Sequence, residues 1–334
     1  METKSIKVVE LSGYSFSGKS AVYDLLSEFE GYGNHGNHGD FEFEFDLMRV
    51  SNGILDLYNK LVLNWSPIRS SEAIRAFNDL IVSYGGDGSL ASRLTKNGRH
   101  YDKFFPGFTK TSNNYINQLT LATWKSEWPF LYKSDDILTT ILKKVLFRLG
   151  YKKIFKKTVY LSRFEEREFV DITKNYLNTL FVNSVSSGDK AIILNNAFEP
   201  FKPSVSHQFF NNVKSIVVDR DPRDTYLSAL NHSAGNAIIG GNVKIFVQRF
   251  KIYRNNLENT PKTLRINFES LVLDYEATLD VIYTHLEENC SVHTMKGTTF
   301  NPGSSSNNVG MWKTSKNQED MNYIAKYLEE FCIN

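Results

Sequence analysis

The sequence predicts an α/β fold in which a central parallel sheet is flanked by helices and carries a large helical insertion. Three observations predict it. Short apolar runs of strand length alternate with longer amphipathic runs of helix length. The runs are bounded by Gly, Pro, Asn and Asp, and the stretch from about 53 to 150 keeps a mainly helical pattern. Strands that alternate with helices pair in parallel, with both sheet faces covered and ligands received beyond the C-terminal strand ends.

In chain order, Ile6 to Leu11 reads as a buried strand, followed by a glycine-bearing turn and an amphipathic helix from Ser20 to Phe29. Gly31 to Gly39, with its tandem Asn-His-Gly, has no apolar period and reads as a loop. Phe41 to Asp46 alternates with a period of two, so a strand is predicted with Phe41, Phe43 and Phe45 on a core face and Glu42, Glu44 and Asp46 on an acidic one. The helical stretch that follows has breaks at Ser66-Pro67, 85–88 and Pro106-Gly107. Thr158–Leu161 and Ala191–Leu194 read as short buried strands around a helix from Glu165 to about Val182. Ser215–Val218 and Leu264–Ile266 repeat the strand pattern, the latter followed by a helix from Tyr275 to Leu286.

With 334 residues, 41% hydrophobic and 23% charged, one domain over 1–334 with its insertion at about 53–150 is expected to fold on its own. Thirty-nine basic against thirty-seven acidic residues give a net charge of +2, too balanced for a dedicated nucleic-acid binder, so an anionic ligand must be met locally. Cys290 and Cys332 are too few for a disulfide framework or a cysteine-built zinc site, which fits a reducing cytoplasm. No apolar run reaches the roughly 20 residues of a membrane span, and no signal peptide or membrane anchor is expected.

The first motif is Gly13-Tyr-Ser-Phe-Ser-Gly18-Lys19-Ser20, a G-x-x-x-x-G-K-S pattern directly after a strand and before a helix. Glycines let the backbone turn its N–H groups around a phosphate, the helix N-terminus adds partial positive charge, and the lysine reaches the transferred group. Ser15, Phe16, Ser17, Gly18, Lys19, Ser20 and Ala21 are the residues placed to hold a phosphate or sulfate. This loop alone does not choose between a nucleotide kinase and a sulfotransferase.

The second motif follows the strand Ser215–Val218: Asp219-Arg220-Asp221-Pro222-Arg223-Asp224, then Ser228 eight positions after Arg220. Pro222 suits the first turn of a helix, and Ser228 then lies two turns along it, so a guanidinium fork and a hydroxyl can converge on one phosphate. The same charges also suit a helix-capping turn, and Val217-Val218-Asp219 also suits the acidic strand end that orders magnesium in nucleotide hydrolases and kinases. The segment resembles the one with which the sulfotransferases that use 3′-phosphoadenosine 5′-phosphosulfate (PAPS) hold the donor's 3′-phosphate. Leu264–Leu271 with the helix after it is similar to that family's next strand, acidic turn and helix, in a structural role. Asn308-Val-Gly310-Met-Trp312-Lys313 is similar to its glycine, tryptophan and lysine segment, which implies Trp312 against the purine and Lys313 near the 3′-phosphate; Met311 stands where an acidic residue is common. The resemblance covers the lysine loop, about 211–290 and the tail near 310, roughly a third of the chain. The Ser-Gly-Lys-Ser form of the loop is shared with nucleotide hydrolases.

The resemblance implies a P-loop sulfotransferase-like fold, PAPS as donor with no metal ion, and a small-molecule or glycan acceptor. Lys19 then stabilises charge on the leaving phosphate and Ser20 fixes the 5′-phosphate. A general base is still required. Glu44 is the first choice, with Glu42 and Asp46 on the same face and His35 and His38 as alternatives; a cation-binding or solvated edge is the other use of three such carboxylates. The run Lys143, Lys144, Arg148, Lys152, Lys153, Lys156 and Lys157, interleaved with Leu, Phe and Tyr, reads as a solvated basic face or a contact for a polyanionic glycan or membrane surface. Trp65, Trp124 and Trp128 suit either packing of the insertion or a flat acceptor. A magnesium-dependent small-molecule kinase, with Asp219 holding the metal, and a catalytically silent nucleotide-binding module remain the alternatives. Acceptor and oligomeric state are not encoded legibly.

Overall fold

The computed structural model describes residues 5–33, 43–86, 89, 94, 100–126, 137–151 and 156–333. It divides into two units, Met1–Met48 with Ser184–Asn334, and Arg49–Asn183. The described strands are β1 (Lys7–Gly13), β2 (Tyr32–Gly33), β3 (Ala122–Ser126), β4 (Lys157–Leu161), β5 (Ala191–Asn195), β6 (Asn212–Asp219) and β7 (Thr263–Asn267).

In the first unit β2, β5, β1, β6 and β7 form one sheet in that order, every pairing parallel. The predicted central parallel sheet flanked by helices is the observed one. β1 is its middle strand, and Leu11 is opposite Asn195 on one side and Ile216 on the other. A strand in that position needs apolar residues on both faces, and Val8, Val9 and Leu11 supply them, with Glu10 buried among them. On one face Val9, Leu11, Ile193, Ile216 and Val218 pack with Val22, Leu25 and Leu26 of the Lys19–Ser27 helix and with Phe268, Leu271, Ile282 and Leu286. Each such side chain, fully buried, contributes about 1.5–3 kcal/mol. A second cluster joins Tyr226 of the Pro222–Leu230 helix to Phe246 and Phe250 of the Val243–Asn255 helix and to Met321, Ile324 and Leu328 near the C-terminus.

Two expectations need correction here. Phe41 and Glu42 lie outside the described residues; residues 43–45 form no strand, and Asp46–Met48 is a turn of 3-10 helix. The segment crosses the tip of β5, where the Phe45 N–H donates to Asn195 O at 3.0 Å. Phe43 and Phe45 are buried there, so their period reflects burial under a crossing segment rather than a sheet face. Asp46 is itself buried, so it does not share an exposed face with Glu44. The strand after the first helix is β2, paired with β5 through Tyr32 and Ala191, so β5 rather than that strand flanks β1.

The second correction concerns Thr158–Leu161. It is a strand, but β4 pairs antiparallel with β3 in the second unit and takes no part in the parallel sheet. Among its residues only Val159 is buried, and β3 is largely exposed, so neither strand carries the apolar signal of a central position. The second unit is otherwise helical, with helices at Pro67–Tyr84, Phe108–Gln118, Ile137–Arg148 and, in its greater part, Glu166–Ser184. Ser66 caps the first of these by accepting the Arg69 N–H, and Pro67 occupies its first position, as the break in the sequence requires. Aromatic rings fill the core: Phe77, Tyr101, Phe105, Phe108 and Phe169 are fully buried, and Tyr115 stacks on Tyr176 at 4.3 Å. Trp65 donates to Ser162 O at 2.7 Å, whereas Trp124 is exposed and Trp128 lies outside the described residues. No described helix is long and apolar enough to cross a membrane.

Candidate functional site

The loop between β1 and the Lys19–Ser27 helix is shaped by two glycines. Gly13 has φ 154°, and a Cβ there would sit 2.4 Å from Val218 O of the adjacent β6. Gly18 has φ 90° at the helix N-cap, and a Cβ there would sit 2.4 Å from the Phe268 ring. Between them the Ser17 N–H closes a turn onto Tyr14 O at 3.1 Å. No side chain caps the helix, so its first amides stay oriented into the loop. Lys19 is buried and its Nζ donates to Gly13 O at 3.1 Å, which folds the ammonium back across the loop. The buried Ser17 Oγ makes no hydrogen bond.

The second motif begins at the tip of β6. Asp221 caps the Pro222–Leu230 helix, accepting from the Arg223 N–H at 2.8 Å, and Pro222 takes the first position. Asp221 also accepts from Arg223 Nη2 at 2.6 Å and from the Ile333 N–H at 2.8 Å, tying the C-terminal segment to the turn. Arg220 Nη1 donates to Ser228 Oγ and to Phe16 O, each at 2.9 Å, and Nη2 donates to Asn308 O at 2.6 Å. The guanidinium lies 5.0 Å from the centroid of Phe268, and its buried Nε has no partner. Burial lowers the Arg220 pKa from its usual value, against the opposing pull of Asp224, Glu269 and Asp221.

A cleft of about 420 Å³ unites the two motifs. Phe16, Gly18, Ser20 and Ala21 line it from the loop, and Arg220 and Ser228 from β6 and its helix. Phe268 lines it as well, in contact range of a Gly18 Cβ and beneath Arg220. The remaining wall is mostly polar, with Asp24 of the first helix and Thr299, Asn301, Ser304, Ser305 and Asn308, and Phe300 among them. Sequence reasoning gave Phe268 a merely structural place and did not identify the 299–308 wall. The signal for the wall was the Ser, Asn and Gly density from Gly297 to Gly310.

That wall is pinned from beneath. Glu28 is fully buried and accepts from His293 Nε2 at 2.6 Å and from the N–H groups of Gly297, Thr299 and Phe300 at 3.0, 2.8 and 2.7 Å. Burial pushes the Glu28 pKa up, but the histidine and the three amides outweigh it and hold it below the usual value. Asp224 does the same for the next segment, accepting from the Gly310 N–H at 2.6 Å and the Trp312 N–H at 2.9 Å. Burial raises its pKa despite those amides and Arg220.

Other candidates lie elsewhere. Trp312 and Lys313, like Ser15, Ser17 and Lys19 of the loop, are not among the residues that line the cleft. The Trp312 ring is covered by Arg223, whose Cζ is 3.6 Å from its centroid, and Lys313 is exposed. Glu44 is also outside the lining; its carboxylate accepts the side-chain amide of Asn196, directly past β5, whose own N–H donates to Leu11 O at 2.9 Å. Glu44 is thereby held at the C-terminal edge of the sheet, beside β1. Glu42, His35 and His38 are outside the described residues. Asp219 is held by Arg254 at 2.8 Å on Oδ1 and by Arg265 at 2.6 Å on Oδ2. A cation at Asp219 would have to displace both guanidinium groups.

No protein-family model and no curated protein sequence matches this chain. Among solved structures, the chain is similar to the sulfotransferase domain of a Synechococcus olefin synthase at 11% identity and TM-score 0.39, covering 98% of this chain and 97% of that one. It is similar to the sulfotransferase domain of the curacin biosynthetic pathway at 11% identity and TM-score 0.40, covering 98% and 99%. It is also similar to retinol dehydratase, crystallised with androsterone and the inactive cofactor PAP, at 13% identity and TM-score 0.35, covering 98% and 81%.

Proposed function

We propose that the chain is a sulfotransferase that takes its sulfuryl group from PAPS and passes it to a hydroxyl or amine of a small-molecule or glycan acceptor. One observation carries the reading: a single cleft of about 420 Å³ is lined both by the helix-capping loop and by the Arg220–Ser228 pair. The volume is within the range of small-ligand sites. A nucleotide phosphorylated at both ends needs two anion sites separated by an apolar surface, and here Phe268 lies between Gly18 and Arg220.

The residues fit that donor on their own chemistry. Gly13 and Gly18 let the loop pack closely on Val218 and Phe268, and the first amides of the helix together with Ser17 Oγ and Ser20 offer donors to a 5′-phosphate. Arg220 and Ser228, already in mutual contact, supply a fork and a hydroxyl to a 3′-phosphate. When bound, PAPS supplies an electrophilic sulfuryl group whose departure leaves negative charge on the bridging phosphate oxygen. The Lys19 ammonium, now on Gly13 O, is the group that swings onto that charge. Glu44 is the proposed acceptor of the substrate's proton, with Asp46 two residues further on as the second carboxylate; this reading gives Trp312 and Lys313 a supporting role and requires no metal ion.

Titration calorimetry with adenosine 3′,5′-bisphosphate and with ATP-magnesium tests the assignment. The bisphosphate is expected to bind the parent, and Ser228→Ala and Arg220→Ala to weaken it by about tenfold and a hundredfold, the loss of one neutral and one charged hydrogen-bonding partner. Binding of ATP-magnesium with none of the bisphosphate identifies a kinase-type site instead. Incubation with sulfur-labelled PAPS and pooled hydroxyl and amine acceptors then separates an enzyme from a silent binding module.

A further inference from the structure

The helix Ile137–Arg148 has none of its residues buried. The aliphatic residues Ile137, Leu138, Ile141, Leu142, Val145 and Leu146, with Leu149 just past its end, fall on one half of a 100°-per-residue wheel, with Arg148 near its edge, while Thr139, Thr140, Lys143, Lys144 and Phe147 fall on the other. That apolar half is the one turned to solvent: Leu138 is 77% exposed, Leu142 57% and Leu149 65%. Contiguous apolar surface of this kind marks a contact site.

Charge selects the occupant. From Ile137 to Lys157 the sequence holds seven Lys or Arg and no Asp or Glu, in a chain whose net charge is only +2. A second copy presenting the same helix would repel it, and a soluble polyanion would leave the leucines wet. An anionic lipid surface satisfies both halves, because acyl chains receive the apolar face while headgroups receive the cations. Exposed Lys144 and Arg148 stand at one edge of the apolar half, and half-exposed Phe147 and Tyr151 carry rings suited to the headgroup level. Twelve residues make a helix about 18 Å long, too short to span the roughly 30 Å core, so the helix lies in the interface plane.

We infer that the Ile137–Arg148 helix docks the protein peripherally onto a membrane leaflet rich in anionic phospholipid. The inference is independent of the reaction proposed above. The test is flotation of the full chain with vesicles of phosphatidylcholine alone and with 30% phosphatidylserine. Binding is expected on the anionic vesicles and at least tenfold less on the neutral ones, with loss in high salt. Leu138→Glu/Leu142→Glu and Lys144→Glu/Arg148→Glu are each expected to lower partitioning at least tenfold. All four side chains are exposed, so the thermal melt is expected to match the parent. Absence of binding to anionic vesicles overturns the proposal, as does equal binding by Leu138→Glu/Leu142→Glu. A concentration-dependent dimer that Leu142→Glu dissociates, without vesicle binding, assigns the face to a second copy and overturns it as well.

Discussion

Gly18→Ala is expected to damage the site through two separable terms. The backbone term comes from φ 90° and ψ 20°, a left-handed conformation that costs a non-glycine residue about 1–2 kcal/mol. The steric term comes from a Cβ placed 2.4 Å from Cδ2 and 2.8 Å from Cγ of Phe268. Phe268 is 4% exposed and supports Arg220, so the ring cannot swing into solvent, and overpacking of this kind costs about 1–3 kcal/mol. Together Gly18→Ala should lower unfolding free energy by about 2–5 kcal/mol, measured by urea denaturation. Phe268→Ala removes Cγ and Cδ2 and leaves the backbone term, so the double variant should show a favourable coupling of about 1–3 kcal/mol. Bisphosphate affinity, followed by calorimetry on folded samples, should fall in Gly18→Ala and recover only partly in the double variant. A Gly18→Ala cost below about 0.5 kcal/mol, or zero coupling to Phe268, refutes the argument that this glycine is set by the ring beneath it.

Glu28→Gln keeps the shape but turns an amide NH₂ toward a cage of N–H donors, so a loss of about 3 kcal/mol in urea denaturation is expected, with faster hydrogen exchange at Thr299 and Phe300; unchanged exchange there contradicts the pinning role. His207 and His285 both contact Ser215, through its Oγ at 2.9 Å and its carbonyl at 3.1 Å. Burial, with Lys262 and Lys214 respectively, lowers each to about 4 from 6.5. Both are neutral when folded and bind protons on unfolding, so their contribution is complete above pH 6.5 and declines as pH falls toward 4, with a slope of at most about 2.7 kcal/mol per unit for two protons. Urea midpoints between pH 7 and 4.5 should show that decline and show it flattened in His207→Asn and His285→Asn.

The parallel sheet was legible because its central strands are buried on both faces and keep unbroken apolar runs such as Ala191 to Leu194 and Ile216 to Val218. The two anion motifs were legible because glycine, proline and arginine have local reasons to occupy fixed offsets. Pattern failed where burial came from elsewhere than a sheet. Phe43 and Phe45 alternate because a crossing segment tucks both under the tip of β5, a geometry that mimics a strand period. β3 was illegible because its residues are largely exposed and only pair with β4. The 299–308 wall is positioned by Glu28, some 270 residues earlier in the chain, and no local period records such a contact.

Arg220 ties three parts of the cleft together through one guanidinium group. Its two terminal nitrogens are directed at Phe16 O, Ser228 Oγ and Asn308 O, so in this structure the guanidinium works as a strut between the loop, the helix after β6 and the polar wall. Phe16, whose carbonyl it holds, is itself at φ 65°, a left-handed conformation that costs an aromatic residue energy unless something fixes it. An anion arriving between Arg220 and Ser228 competes with those carbonyls for the same N–H groups, and only Nε begins without a partner. Ligand capture at the Arg220 end is therefore coupled to the conformation of Phe16, three residues before Lys19. The coupling requires that a bisphosphate change the environment of Phe16 and His232, whose rings are 5.3 Å apart, whereas a 5′-monophosphate does so less.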